Sequence, residues 1–362
     1  MHLQGYTMSG NVGVVIVTFN SRRYVEGCIG SLMRQTYRDF DMVVVDNGST
    51  DGTIEELKRF GVHVISNREN MGFAAASNIG AEYAFGKLGC GCVLLLNPDT
   101  EADKDLIKEL LATLDERGGM AVVQGKLFLM GERELLNTAG NRLHYLYFGY
   151  CEGFKQRDTY PHDREIGYAS GACMMMSREL MSRLGYLFPD EFFMYHEDTD
   201  LCMRARLMGF GSVLSAKAVA WHDYRFGSSG GKFYHMEKNR LYLLIQNYRA
   251  GTLALLLPAV VFTELQVMLY AAMNGWFGWK LRSYGWFFKN MGKVMERRRA
   301  VQASRTVSDL GAMGGMVTDI SFREVDNPGL RYITNPVLKY YFKFVTAVLA
   351  LAGEARAAKA GQ

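Results

Sequence analysis

Apolar residues come in short runs that stop at polar clusters. Gly13 to Phe19 carries Val14, Val15, Ile16 and Val17 and ends at Thr18, Phe19 and Asn20. A β-branched run of this length reads as a buried strand. Tyr24, Cys28, Ile29 and Leu32 then recur at helical spacing, and Met42 to Val45 form a second strand stopping at Asp46, Asn47, Gly48 and Ser49. Another helix is expected from Thr50 or Asp51, either of which can cap it, with Glu55 in its first turn. The pattern repeats with a strand Val62 to Ser66, a helix Ala74 to Phe85, and a strand Cys92 to Leu96 closing at Asn97, Pro98 and Asp99. Strands alternating with helices of about 10 to 15 residues predict an α/β fold with a mostly parallel sheet covered by helices. Ligands of such sheets bind beyond the carboxyl ends of the strands. Each strand named ends in Asn, Asp, Ser or Thr, so four polar loops are expected on one rim.

Beyond a helix at Lys104 to Arg117, strands are predicted around Ala121 to Phe128, Gly167 to Ser177, Gly211 to Leu214 and Ala218 to Trp221. The character changes after residue 236, which sets the expected domains at 1–236 and 237–362. Gly251 to Met273 approaches spanning length, but Pro258, Glu264 and Gln266 interrupt it, which favours helices lying in a membrane interface. Trp276, Phe277, Trp279, Tyr284, Trp286, Phe287 and Phe288 follow, mixed with Lys280, Arg282 and Lys289, then Lys293, Arg297, Arg298, Arg299 and Arg305. Aromatic rings beside cations suit the headgroup layer of an anionic inner leaflet. A solvated helical face with a dimer interface is the alternative, which leaves a homo-oligomer open. Val337 to Leu351 offers a second apolar segment.

Composition narrows the classes. The chain has 362 residues, 49% hydrophobic and 22% charged, enough for a large core. A net charge of +4 without a dense basic stripe argues against nucleic acid. The six cysteines lack zinc-ribbon or disulfide spacing and sit mostly in apolar runs, as expected of a reduced, cytosolic protein. Met1 to Asn11 has no apolar core of a signal peptide, so export is not expected.

Four groups of residues could carry chemistry. Asp46 could accept from a pyrimidine N–H, or the 46–51 stretch could be only a turn with a helix cap. Asp99 at a strand end offers the oxygen a hard divalent cation prefers, though N-P-D is also a common turn. His222 after a strand could be a ligand or structural. Glu197, Asp198 and Asp200 put three carboxylates within four positions beside Phe192, Phe193 and Met194, costly to bury unless paired or used. Asp200 has an i,i+4 partner in Arg204. Asp198 is left as a base whose pKa Glu197 and Asp200 would raise, with His196 as a rival.

These residues fall in V-I-V-T-F-N, V-V-V-D-N-G-S-T-D-G-T, N-x-x-N-M-G-F-A-A-A-S-N-I-G, L-L-L-N-P-D, S-G-A-C-M-M-M, F-F-M-Y-H-E-D-T-D-L-C-M-R and A-W-H, in this order. The chain resembles family 2 glycosyltransferases of the GT-A fold, especially bacterial rhamnosyltransferase-like members, from about Val12 to Tyr248. The resemblance implies that Thr18, Asn20 and Asp46 hold the nucleoside, and that Asn47, Asn70, Gly72, Asn78 and Asn97 shape the donor pocket. Gly171 and Ala172 would line its floor. Asp99 and His222 would bind Mg²⁺ or Mn²⁺, and Asp198 would deprotonate the acceptor hydroxyl for an inverting displacement. Glu197, Asp200 and Trp221 would support the acceptor side. Asn97 stands where many relatives carry Asp, and no Q-x-x-R-W motif of processive synthases occurs around Tyr224 to Arg249, so addition of a single sugar is expected. The implied partners are a dTDP- or UDP-sugar, dTDP-L-rhamnose among them, and a polyprenyl-diphosphate-linked or other glycan at the cytoplasmic face of the inner membrane. The alternative is an inactive membrane scaffold that binds sugar nucleotides.

Overall fold

The computed structural model describes residues 11–224, 227, 229–321 and 328–360. The expectation about Met1 to Asn11 falls, apart from Asn11, outside them, as do three positions of the Tyr224 to Arg249 stretch. The strands are β1 (Val12–Thr18), β2 (Phe40–Asp46), β3 (His63–Ser66), β4 (Cys92–Leu96), β5 (Thr100–Ala102), β6 (Ala121–Leu129), β7 (Leu136–Thr138), β8 (Asn141–Leu143), β9 (Gly149–Cys151), β10 (Arg164–Glu165), β11 (Cys173–Ser177) and β12 (Gly211–His222). The helices are α1 (Arg22–Met33), α2 (Thr53–Leu57), α3 (Gly72–Gly86), α4 (Leu106–Glu116), α5 (Arg178–Leu184), α6 (Glu197–Leu207), α7 (Gly230–Asn247), α8 (Ala250–Met273), α9 (Phe277–Lys289), α10 (Met291–Ser304), α11 (Asp309–Ala312) and α12 (Asn335–Ala360).

The chain divides into two compact units. The first takes in residues up to 141, 151–205 and 210–226; the second takes in 142–150, 206–209 and everything from 227. A boundary at 236 would cut α7, whereas the second unit keeps that helix whole and adds two short segments from earlier in the chain.

In the first unit a ten-stranded sheet runs in the order β10-β12-β6-β11-β4-β1-β2-β3, with β5 and β7 beside β12 and β6. Parallel pairing prevails in the sheet, as expected, with antiparallel strands let into it. β4, β1, β2 and β3 pair in parallel, and so do β6 and β12, but β11 lies antiparallel between β4 and β6. Strand direction is not written in the hydrophobic pattern, because a strand buried on both faces looks alike in either sense. Gly211 to Trp221 is one long strand with an irregularity between Ser215 and Val219, not two. The strand expected at Gly167 to Ser177 starts only at Cys173.

Alternation along the strands sorts the layers. Val12, Val14, Ile16, Leu94 and Leu96 share a buried cluster with Val25, Cys28, Ile29 and Leu32 of α1 and Leu106, Leu110 and Leu114 of α4. The opposite face takes α3, whose approach is so close that a Cβ on Gly80 would lie 2.3 Å from Cγ1 of Val15. Cys90 and Cys92 are buried, Cys92 within β4, and no disulfide joins the described cysteines.

In the second unit four ionic groups, Glu264 half-buried and the other three buried, form a closed ring. Arg240 of α7 pairs with Glu237 at 2.8 Å and with Glu264 of α8, and Lys280 of α9 pairs with Glu264 at 2.7 Å and with Glu237. Two cations against two carboxylates leave no net charge, the condition under which such burial is tolerable.

Candidate active site

Register brings the polar strand ends together. Thr18 lies opposite Asp46, and Asp46 opposite Ser66, so the loops after β1, β2 and β3 leave the sheet at one edge. Asn97 joins them from β4, its N–H donating to the Ala172 carbonyl at 3.0 Å.

The amide and carboxylate groups on the nucleoside side are engaged within the chain. Asp46 has no exposed surface. Its carboxylate accepts from the Thr18 hydroxyl at 2.8 Å, the Ser49 hydroxyl at 2.5 Å and the Ser49 N–H at 2.9 Å. In this conformation Asp46 anchors the turn, with two of these hydrogen bonds on Oδ1 and one on Oδ2. Asn47 is likewise buried, donating to Gly72 O at 3.1 Å and accepting from Asn67 at 2.8 Å. Asn78 exchanges hydrogen bonds with the Phe188 backbone at 2.9 and 3.0 Å and donates to Asp190 at 2.6 Å. Asn70 accepts from the Gly72 N–H at 2.9 Å and so opens α3. Asn20 and Asn70 are the exposed members of this group; Asn20 holds a left-handed conformation, φ 51°, and accepts from the Thr50 N–H. Together with Arg22, Arg23, Glu26, Asp51, Glu56 and Arg59, Asn20 lines an open pocket of about 440 Å³.

Asp99 and His222 do meet. His222 Nε2 lies 3.2 Å from Asp99 Oδ1. Nδ1 of the same ring is 2.9 Å from the side-chain oxygen of the buried Asn137, to which it can only donate. In a neutral ring this leaves Nε2 with a lone pair aimed at a carboxylate, an arrangement that calls for a shared proton or a shared cation. Neighbouring ligands of an octahedral ion with bonds of about 2.1 Å sit about 3 Å apart, so the pair fits Mg²⁺ or Mn²⁺. Among the described residues no three His, Cys, Asp or Glu side chains converge, and the remaining ligands would have to come from phosphate and water. Next to this pair, the Asp223 N–H donates to Asp99 O, and the Asp223 carboxylate accepts from Tyr24 at 2.6 Å. Arg23 lies 4.4 Å over the Tyr24 ring. Asn137, Arg23 and Asp223 were not singled out by sequence reasoning, and Tyr24 only as a helical position; Asp223 directly follows the A-W-H motif, and nothing pointed to Asn137.

Asp198 sits in the first turn of α6. Its Oδ2 accepts from the Gly171 N–H at 3.2 Å, and its Oδ1 from the Thr199 N–H at 2.6 Å and hydroxyl at 3.2 Å. A Cβ on Gly171 would touch Phe73 and approach Asp198, so glycine keeps the carboxylate against the backbone of that loop. Burial pushes the Asp198 pKa up to about 6, against these hydrogen bonds, which lower it. Desolvation, not the neighbouring carboxylates, is thus the leading cause. Asp200 is neutralised by Arg204 at 2.7 Å, and Arg204 also donates to the Tyr186 and Leu187 carbonyls. Glu197 is buried beside them.

The approach to α6 is strained. Phe193, Tyr195 and His196 all hold φ between 63° and 68°, a region costing side-chain-bearing residues about 1 to 3 kcal/mol each. The Ala74 N–H of α3 fastens the loop by donating to Phe193 O at 3.2 Å. Trp221 stacks under Arg133 at 4.8 Å with its indole nitrogen buried.

The profile described as "Glycosyl transferase family 2" matches residues 13–185. A low-salt glycan biosynthesis hexosyltransferase, Agl10 of Haloferax volcanii, is 29% identical over 203 residues, 55% of this chain and 63% of its own. An N-acetylglucosaminyl-diphospho-decaprenol L-rhamnosyltransferase of Mycobacterium tuberculosis is 26% identical over 237 residues, 59% of this chain and 76% of its own. The structure of GalNAc-T7 with UDP, GalNAc and Mn²⁺ superposes with a TM-score of 0.57 at 16% identity, covering 79% of this chain and 57% of that one. The chain thus spans less than two thirds of Agl10 and of GalNAc-T7. Residues 13–185 therefore carry a glycosyl transferase family 2 domain.

Proposed function

We propose that this protein is an inverting, divalent-metal-dependent glycosyltransferase that adds one sugar, L-rhamnose from dTDP-L-rhamnose as the leading choice, to a lipid-linked glycan at the cytoplasmic face of a membrane. The observation that carries the chemistry is the Asp198 carboxylate, with a pKa near 6, beside Gly171 in the loop whose Ala172 carbonyl accepts from Asn97, two residues before Asp99. Asp198 would take the proton as an acceptor oxygen attacks the anomeric carbon. The carbon–oxygen bond to the diphosphate breaks in the same displacement, which inverts the centre because no covalent intermediate precedes it. Asp99 and His222 would hold the metal, which when bound offsets the charge gathering on the leaving diphosphate. Arg23 and Tyr24 are close enough to Asp223 to help orient that diphosphate. The sugar and the lipid-linked acceptor are carried by likeness to the mycobacterial rhamnosyltransferase, and the metal also by the Mn²⁺ in GalNAc-T7 crystals.

A panel of UDP-, dTDP- and GDP-sugars tested for hydrolysis and for transfer to a polyprenyl-diphosphate-linked sugar, with Mn²⁺ or EDTA, tests the reading. Metal-dependent turnover of dTDP-L-rhamnose is expected. Binding without turnover of any donor would favour the scaffold instead.

A further inference from the structure

We infer that the second unit lies flat in one leaflet, with α8, α9 and α12 presenting an apolar face to anionic lipid and neither α8 nor α12 crossing the bilayer. Both helices are long and apolar enough to span by length and composition. The ion ring decides against it for α8. Glu264 lies near the middle of this 24-residue helix and pairs with Arg240 of α7 and Lys280 of α9. A spanning α8 would therefore carry α7 and α9 to the depth of the bilayer centre. At 13 residues, about 20 Å, α9 is too short to cross about 30 Å of hydrocarbon. α7 brings Lys232, Glu237, Lys238, Asn239, Arg240, Gln246 and Asn247, a composition no lipid-facing helix carries.

The outer side of α8 has a different composition. Leu257, Val261, Leu265, Leu269 and Met273 recur every four residues and are 50 to 77% exposed, while Leu256, Ala259, Thr263 and Ala271 face the protein. Tyr341 donates to the Leu255 carbonyl at 2.6 Å and Thr334 to Gln266 at 2.9 Å, so α12 runs antiparallel to α8. It adds exposed Val337, Tyr340, Phe344 and Leu351. Cations ride over exposed rings of the same unit: Arg282 over Trp279 at 4.7 Å, Arg331 over Tyr332 at 5.5 Å and Lys343 over Tyr340 at 5.8 Å. Apolar rows accompanied by aromatic–cation pairs match a layer that joins hydrocarbon to anionic phosphate. Water or a neutral surface would satisfy only half of that pattern.

Docking of this kind is the location the proposed function needs, yet its test requires no donor, so the two can fail separately. The full chain is floated with vesicles of phosphatidylcholine alone or mixed with phosphatidylglycerol. It is expected to float with the anionic vesicles, and Leu265→Asp with Leu269→Asp is expected to cut the bound fraction about tenfold. Both positions are exposed, and an unchanged melting temperature and far-UV circular dichroism spectrum would show the variant folded. Met273→Cys and Gly251→Cys, on a Cys151→Ser background, are expected to react with an impermeant maleimide only in opened cells. Labelling of either end in intact cells overturns the in-plane placement. A chain that stays unbound to both vesicles, whether as a monomer or as a dimer covering its own apolar face, overturns lipid as the occupant.

Discussion

A carboxyl group titrating near pH 6 is mostly ionised at neutral pH and still basic enough to receive a proton from an attacking hydroxyl. For Asp198 this predicts that kcat/KM falls as pH drops through about 6, and that Asp198→Asn abolishes transfer while nucleotide binding, followed by calorimetry, persists. The same shift bears on stability. The raised pKa makes the folded chain bind the proton more tightly, a contribution complete below the unfolded value of 3.8 and lost as pH rises through about 6. Asp198→Asn should accordingly melt above the wild type near neutral pH, with the difference shrinking as pH falls toward about 5. Asn137 supports a second prediction. If its carbonyl fixes the His222 tautomer, Asn137→Ala should weaken Mn²⁺ binding by about 10- to 100-fold, measured by titrating the metal against nucleotide binding. Asp99 and His222 were legible as strand-end candidates, but Asn137 was not, because a lone Asn in an ordinary β stretch carries no local mark. Asp46 was legible as important, yet its hydrogen bonds run inward to Thr18 and Ser49, which periodicity does not reveal.

The N-terminus of α3 and the loop before α6 act as one element. Gly72 has φ 86°, and a Cβ there would lie 2.5 Å from Phe193 O, backbone against backbone. Gly72→Val is expected to cost about 2 kcal/mol or more in chemical denaturation, and to lower kcat disproportionately by releasing the loop that leads to Asp198. The helices and strands of the first half were readable because their apolar periods are clean, as in Val14 to Val17 and Cys92 to Leu96. The antiparallel β11 and the late start of that strand at Cys173 were not, because they depend on which strands it pairs with.

At the scale of the molecule, only two protein groups converge on the proposed metal position among the described residues. Mn²⁺ alone should therefore shift the melting temperature little, whereas Mn²⁺ with a nucleoside diphosphate should stabilise the chain by about 2.7 kcal/mol at a hundredfold excess over Kd. Thermal melts with metal, nucleotide and both separate these cases, and EDTA should reverse the combined shift.

Strand periodicity and ordered motifs are local properties, so the α/β class, the family likeness and the rim on which the polar loops gather could be read before any coordinates. The sequence also showed the apolar and basic character of the C-terminal region. Only the tertiary structure decided that the sheet is mixed, that His222 faces both Asp99 and Asn137, and that burial rather than charge raises Asp198. It also decided that Glu264 answers to Arg240 and Lys280. Each of these is a contact between residues distant in the chain, whose energy depends on distance and desolvation that composition and spacing do not record.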